Sequence, residues 1–271
     1  LPVVAIRLPP LQMPGPVTSS LTYRRLVVRS SNGSRGGSFQ GSKRYAADCH
    51  RCCCRRGRSM LFANPFKARM PLKAEALAGR SVPVWEGAPH CVLGTPTMGP
   101  FAGHLQEIHL GLGCFWGAER LFWQIEGVHT TAVGYAGGFT PNPTYDEVCS
   151  GRTGHTEVVL VVFDPEVVAL ETILKVFFEE HDPTQGYRQG NDRGTQYRSA
   201  IFCTSEDQLA TVRAVTDRYG AALAAAGMGA VTTETGMAGP FFYAEDYHQQ
   251  YLHKVPNGYC GLKGTGVACA G

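Results

Sequence analysis

Ten cysteines punctuate this 271-residue chain, and their spacing decides what chemistry they can serve. Zinc needs ligand pairs at short spacing. Cys52, Cys53 and Cys54 crowd too closely for a tetrahedral site, and Cys260 and Cys269 stand nine apart with no second pair. A disulfide framework suits small secreted domains rather than a body of this size. Redox or nucleophilic chemistry remains. Cys114 is the candidate nucleophile, because it follows a predicted strand and precedes a predicted helix, where backbone N–H groups and the helix dipole favour a thiolate. Gly111, Gly113 and Gly117 leave room for a close turn around it. The alternative for Cys114 is a buried structural thiol. Cys260 and Cys269 lie on a glycine-rich tail, which suits thiols that must travel, with two incidental surface thiols as the alternative. Cys91, Cys149 and Cys203 read as structural.

The elements that must position Cys114 follow from periodicity. Glu107–Gly113 reads as a strand and Ala118–Ile125 as a short amphipathic helix. His129–Tyr135 is a strand ending in Ala136-Gly137-Gly138. His155–Phe163 is a strand with almost no polar face, hence central in its sheet. Leu170–Glu180 places Ile173, Leu174, Phe177 and Phe178 at helical spacing. Gln196–Cys203 alternates as a strand, and Ser205 with Gln208 forms a capping box for a long helix ending near Gly227. Ala230–Glu234 reads as a strand and Glu245–His253 as a late helix. The tail from Pro256 has no period and reads as mobile coil. Strands and helices alternate without an internal repeat, which predicts one α/β or α+β domain.

Composition separates this body from what precedes it. Residues 1–60 carry eleven Arg or Lys against one acid, Asp48, whereas residues 61–271 carry fourteen bases against twenty-one acids. The net charge of +3 therefore hides an acidic body, which argues against a nucleic-acid-binding surface. With 44% hydrophobic residues the chain can fill a core, yet its longest unbroken aliphatic or aromatic run, Val158–Phe163, is six residues. A membrane span needs about 20. The Arg- and Ser-rich, acid-poor residues 1–60 read as an organelle transit peptide, with a chloroplast preferred over a mitochondrion. A disordered basic tail, or sequence upstream of the true start in a cytosolic protein, is the alternative. Residues 61–89 read as linker and residues 90–271 as the domain.

The run Gly113-Cys114-Phe115-Trp116-Gly117-Ala118-Glu119 resembles the signature of the A-type peptide methionine sulfoxide reductases. Later blocks resemble the same family in order: Asn142 to Tyr145, Gly154 to Glu157, Gly190 to Ser199, Ala244 to Leu252, Tyr259-Cys260-Gly261 and the final Cys269. The resemblance runs from about His90 to the end. It implies a two-layer α/β sandwich, a ferredoxin-like core with a long C-terminal coil, and reduction of the S-epimer of methionine sulfoxide, free or in proteins. Cys114 would attack the sulfoxide sulfur. Glu157, on an otherwise apolar strand, would protonate the oxygen, unless an arginine such as Arg152 or Arg198 pairs with it instead. Tyr145 and Tyr197 would donate hydrogen bonds to that oxygen, Asp192 would orient the network, and Phe115 and Trp116 would hold the ε-methyl group. Cys260 would resolve the sulfenic acid, Cys269 would exchange onto Cys260, and thioredoxin would restore the thiols.

No cofactor or metal is implied, and a monomer is expected. His155 and His248 read as structural histidines, and Tyr135 and Tyr187 as packing. A non-catalytic module that binds oxidised methionine, or a different thiol enzyme such as a peroxidase or acyl transferase, is the rival reading. The first would have no use for the tail cysteines.

Overall fold

The computed structural model describes residues 68–269. The leader read at residues 1–60, with Cys49, Cys52, Cys53 and Cys54, lies outside the described residues. The elements that build the domain are β1 (Gln106–Leu112), α1 (Phe115–Phe122), β2 (Val128–Ala136), α2 (Tyr145–Cys149), β3 (Thr156–Phe163) and α3 (Leu170–Glu180). There follow β4 (Arg188–Gln189), β5 (Asp192–Arg193), β6 (Ser199–Cys203), α4 (Glu206–Ala225), β7 (Glu234–Met237), β8 (Phe242–Tyr243) and α5 (Tyr251–Lys254).

The main sheet has the order β7-β6-β1-β3-β2-β8. Its inner part, β1-α1-β2-β3-α3-β6, is a β-α-β-β-α-β unit whose four strands pair antiparallel in the order β6-β1-β3-β2. This is the ferredoxin-like arrangement. β7 extends it in parallel beside β6 after the α4 crossover, and β8 extends it antiparallel beside β2. β4 and β5 form a separate two-residue hairpin. No described helix is long and apolar enough to cross a membrane.

β3 is buried along its whole length and lies between β1 and β2, as its unbroken apolar run predicts. The period-2 alternation of a strand gives Val159, Val161 and Phe163 to the helix side, with Ile108, Leu110, Phe122, Leu174 and Phe178. It gives Leu160 and Val162 to the other side, under Phe101, Leu105, Phe241 and Tyr243. Helices therefore cover one face of the sheet and coil covers the other. Each large side chain taken fully from water contributes roughly 1.5–3 kcal/mol, so the buried run Val158–Phe163 fastens both layers to the sheet.

Several elements depart from the sequence reading for identifiable reasons. α1 begins at Phe115 rather than Ala118, because Gly113 turns the chain at φ 100° and Cys114 takes the N-cap position. The strand read from Gln196 opens instead as a tight turn, Thr195–Tyr197, whose carbonyls are taken by side chains: Thr156 donates to the Gln196 carbonyl at 2.9 Å and Arg198 to that of Thr195 at 2.9 Å. β7 starts at Glu234 rather than Ala230, since Thr232 spends its N–H and hydroxyl on the Pro183 carbonyl. The late helix breaks in two at Gln250, which sits in the left-handed region at φ 46°. α2 went unread although Thr144 and Glu147 spell its capping box.

The described part of the segment read as linker packs on the domain. Trp85 is buried against Tyr243, the Leu77 N–H donates to the Arg152 carbonyl at 3.1 Å, and Arg80 pairs with Glu147 at 2.8 Å. The tail is coil, as read, but not loose: named contacts hold it from Tyr259 to Cys269.

Candidate active site

β1 and β3 run antiparallel, so the C-terminal end of β1 meets the start of β3. That places Cys114, just past β1, beside Glu157, the second residue of β3. Glu157 shares the helix side with Val159 and Val161 and is buried. Its Oε2 accepts the Phe115 N–H at 3.0 Å, so the first backbone donor after Cys114 is spent on this carboxyl. Cys114 is 8% exposed and sits at the N-terminus of α1, where partial positive charge gathers.

Aromatic rings wall the same corner. Phe115 lies 5.1 Å from His248 and 5.9 Å from Tyr135 between ring centroids. Trp116 stacks on Tyr251 at 3.8 Å, and Tyr145 stands 4.5 Å from His248. The Trp116 indole N–H donates to His248 Nδ1 at 3.0 Å. His248 must then carry its proton on Nε2, and burial pushes its pKa down to about 3, so the ring is neutral. Among the described residues Nε2 has no hydrogen-bond partner, and Glu245 Oε2 stands 3.9 Å away. Glu245 joins two tyrosines to this wall: it accepts the Tyr145 N–H at 2.9 Å and the Tyr135 hydroxyl at 3.1 Å.

The opposite wall is the β4–β5 hairpin and the tail. Asp192 is buried, and burial raises its pKa to about 6 against the opposing hydrogen bond from Tyr259. That bond, Tyr259 hydroxyl to Asp192 Oδ2, spans 3.2 Å. Its hairpin partner Gln189 packs on Gly113, and Gln189 Nε2 is buried without a hydrogen-bond partner among the described residues. Tyr197 is buried in the turn whose Gln196 carbonyl bonds Thr156, the residue before Glu157. Cys260 follows Tyr259, and its Sγ lies where a Cβ on Gly117 would be, 2.7 Å from that position. The tail thus lays a second sulfur on the first turn of α1, three residues beyond Cys114.

A family model described as peptide methionine sulfoxide reductase matches residues 106–267. A peptide methionine sulfoxide reductase MsrA of Rhodospirillum centenum is 60% identical over 209 residues, 77% of this chain and 95% of that protein. The solved methionine sulfoxide reductase A of Corynebacterium diphtheriae is 50% identical and superposes with a TM-score of 0.68, covering 74% of this chain and 98% of that one. Reduced Mxr1 from Saccharomyces cerevisiae is 34% identical, with a TM-score of 0.56 over 61% of this chain and 93% of that one. The chain belongs to the peptide methionine sulfoxide reductase family.

For such a reductase the structure gathers Cys114, Phe115, Trp116, Tyr145, Tyr197, Glu157, Asp192 and Cys260 around one end of the sheet. Cys269 stands apart from them, buried against α3. Arg198, weighed above as a partner for Glu157, is committed to Glu234 at 2.6 Å and to the Thr195 and Gly137 carbonyls. His155 is satisfied as a structural residue, bonded to the Thr140 carbonyl and the Gly138 N–H. His248 is not: it faces Phe115, Trp116 and Tyr145. The aromatic spacing Tyr247, His248, Tyr251 was the available signal. Glu245 and Gln189 also escaped the reading, since nothing local marks them.

Glu119, the last residue of the signature, lies behind this wall and is fully buried. Oε2 accepts the Gln250 N–H at 2.7 Å, and Oε1 accepts Gln250 Nε2 at 2.7 Å and the Thr131 hydroxyl at 3.1 Å. His90 fixes the direction of the last bond. Its Nδ1 accepts the Val92 and Leu93 N–H groups, so Nε2 donates to Thr131 at 2.9 Å and Thr131 passes its own hydrogen to Glu119. This network holds the left-handed turn at Gln250 between His248 and Tyr251. Burial raises the Glu119 pKa to about 7 despite those donors.

Proposed function

We propose that this enzyme reduces the S-epimer of methionine sulfoxide, free or in proteins, with Cys114 as nucleophile and Cys260 and Cys269 as recycling thiols. The observation that supports it is the 3.0 Å bond from the Phe115 N–H to Glu157 Oε2, which ties a buried acid to the turn that bears the thiol. The Cys114 thiolate attacks the sulfoxide sulfur, and Glu157 delivers a proton to the oxygen as it acquires charge. Tyr145 and Tyr197 donate to the same oxygen, Asp192 orients the polar side, and Phe115 with Trp116 receives the methyl group. The oxygen then passes to Cys114: the substrate S–O bond and the transient bond between the two sulfurs break, a Cys114 S–O bond forms, and methionine departs, leaving Cys114 as a sulfenic acid.

Recycling needs a second sulfur close by, and Cys260 lies on Gly117 of the same helix. Its thiol condenses with the sulfenic acid, releasing water and forming a Cys114–Cys260 disulfide. Cys269 then exchanges onto Cys260, and an external dithiol, thioredoxin, reduces the product disulfide. The tail cysteines weigh against a module that only binds oxidised methionine. The enzyme acts as a monomer. The basic, acid-poor residues 1–60 support import into an organelle, a chloroplast first, which mass-spectrometric mapping of the mature N-terminus tests.

The deciding experiment uses the separated epimers. The enzyme should reduce the S-sulfoxide in a dithiothreitol-dependent reaction and leave the R-sulfoxide untouched. A Cys260→Ser, Cys269→Ser double variant should reduce one equivalent in a burst, then stop with a dimedone-reactive Cys114. Cys114→Ser should be inert, and turnover by that variant would overturn the assignment.

A further inference from the structure

The two tail sulfurs are held by different elements. Cys260 is exposed on α1, while Cys269 is 3% exposed against α3. The contacts around Cys269 go well beyond burial. Its N–H donates to Glu179 Oε1 at 2.7 Å, and its carbonyl accepts from Lys175 Nζ at 3.2 Å. Lys175 and Glu179, one turn apart on α3, pair with each other at 2.6 Å. On the neighbouring α4, the Tyr219 hydroxyl bonds Thr265 Oγ1 at 2.9 Å and donates to the Val267 carbonyl at 3.3 Å. Between the two sulfurs, Gly264 passes so close to the Glu179 carbonyl that a Cβ there has no room. Six residues of tail, from Gly264 to Cys269, therefore lie in a fitted seat on two helices.

We propose that Lys175, Glu179 and Tyr219 are positioning residues that park the reduced Cys269, and that this dock opens before Cys269 exchanges onto Cys260. The proposal rests on the recycling role given to Cys269 above. In the exchange, the Cys269 thiolate attacks the Cys260 sulfur. The Cys114–Cys260 bond breaks, a Cys260–Cys269 bond forms, and Cys114 leaves as thiolate to take the proton that Cys269 lost. No outside electrons are needed. The dock opposes both requirements of this step. A buried sulfur cannot meet an incoming sulfur in line, and burial with the Glu179 charge pushes the Cys269 thiol pKa up. The parked thiol is thereby kept inert in the resting enzyme and becomes reactive when the arm lifts.

The dock is tested in the full-length reduced enzyme by timing N-ethylmaleimide labelling of Cys269 with peptide mass spectrometry, a readout independent of catalysis. Glu179→Ala removes the acceptor of the Cys269 N–H and the ion-pair partner that holds Lys175. Gly264→Ala lifts the arm without touching them. Tyr219→Phe removes the hydroxyl bonds and keeps the ring. Glu179 and Lys175 are partly exposed, so their bonds are weakened by solvent. Labelling should rise by roughly three- to tenfold in each variant, with the initial methionine sulfoxide burst unchanged. Single-turnover conversion of the Cys114–Cys260 disulfide to Cys260–Cys269 should quicken in the same order. Unchanged labelling in Glu179→Ala and Gly264→Ala overturns the dock, and slowed exchange would make the seat a guide rather than a hold, overturning it as well. A Cys269→Ser variant with full thioredoxin turnover would refute the recycling reading instead, and leaves the labelling result to stand on its own.

Discussion

Glu119→Gln should change the pH dependence of stability more than stability at any one pH. The carboxylate receives three donors, and the direction of each is fixed: two come from Gln250, and Thr131 is itself the acceptor for His90. A protonated glutamic acid can still serve three donors and place its own hydrogen elsewhere. A glutamine cannot, because its amide nitrogen turns a donor toward a donor. The substitution therefore costs about 1–3 kcal/mol at acid pH, the range for an orphaned buried donor. At higher pH the wild type carries a cost of its own. Burial raises the Glu119 pKa from 4.5 to about 7 in the folded state. Between those values the folded state holds a proton that the unfolded state has released, so stability falls as pH rises through the window and levels off above it. At about 1.4 kcal/mol per unit the loss is on the order of 3 kcal/mol. Glutamine has no such term. Urea unfolding of the reduced proteins from pH 4.5 to 8 should show the variant trailing the wild type at the acid end and drawing level near pH 8. Other titrating groups cancel in the difference. Parallel curves across the range would refute the reasoning, since Glu119 would then bind no extra proton on folding.

Glu157→Gln keeps an acceptor for the Phe115 N–H but cannot supply a proton, so single-turnover sulfoxide reduction should fall by about 10²–10⁴, read by rapid quench. Gly117→Ala should leave the burst intact and slow formation of the Cys114–Cys260 disulfide, because the added methyl displaces the Cys260 sulfur; trapping with a thiol reagent measures it. Trp116→Phe removes the indole hydrogen bond to His248, so KM for methionine sulfoxide should rise several-fold with a smaller change in kcat. Removing residues 1–60 should leave Tm and activity nearly unchanged, since that segment offers no periodic apolar face.

What could be read from the sequence was what local chemistry writes. The unbroken apolar run of β3 announces a strand covered on both faces, and the Leu170–Glu180 spacing announces α3 to the residue. Cys114 was legible because glycine, cysteine and helix follow one another in the chain. The rest depends on distant partners. Gln250 adopts φ 46° between Glu119 and its own helix, and no local propensity predicts a break there. His248 looked like any buried histidine until Trp116, 132 residues earlier, took its Nδ1. The tail's glycines suggested mobility, yet Gly264 is small because the Glu179 carbonyl lies against it. A glycine that frees the chain and a glycine that lets two backbones touch are written with the same letter.

The packing of residues 69–89 makes this stretch a working part of the domain it precedes. Glu147 serves two partners at once: it closes the capping box that starts α2 at Tyr145, and it pairs with Arg80. Arg80 also donates to the Asn142 carbonyl, and Asn142 returns a bond to the Arg80 carbonyl. A cut between Arg80 and Trp85 would strip these bonds from the loop that presents Tyr145. The same cut would leave the Thr140 hydroxyl without the Leu77 carbonyl it now reaches. A chain that keeps this brace must therefore retain Leu77 and Arg80. A protein trimmed to His90, the edge suggested by sequence alone, would keep every residue assigned to the chemistry and lose the brace beneath one of them.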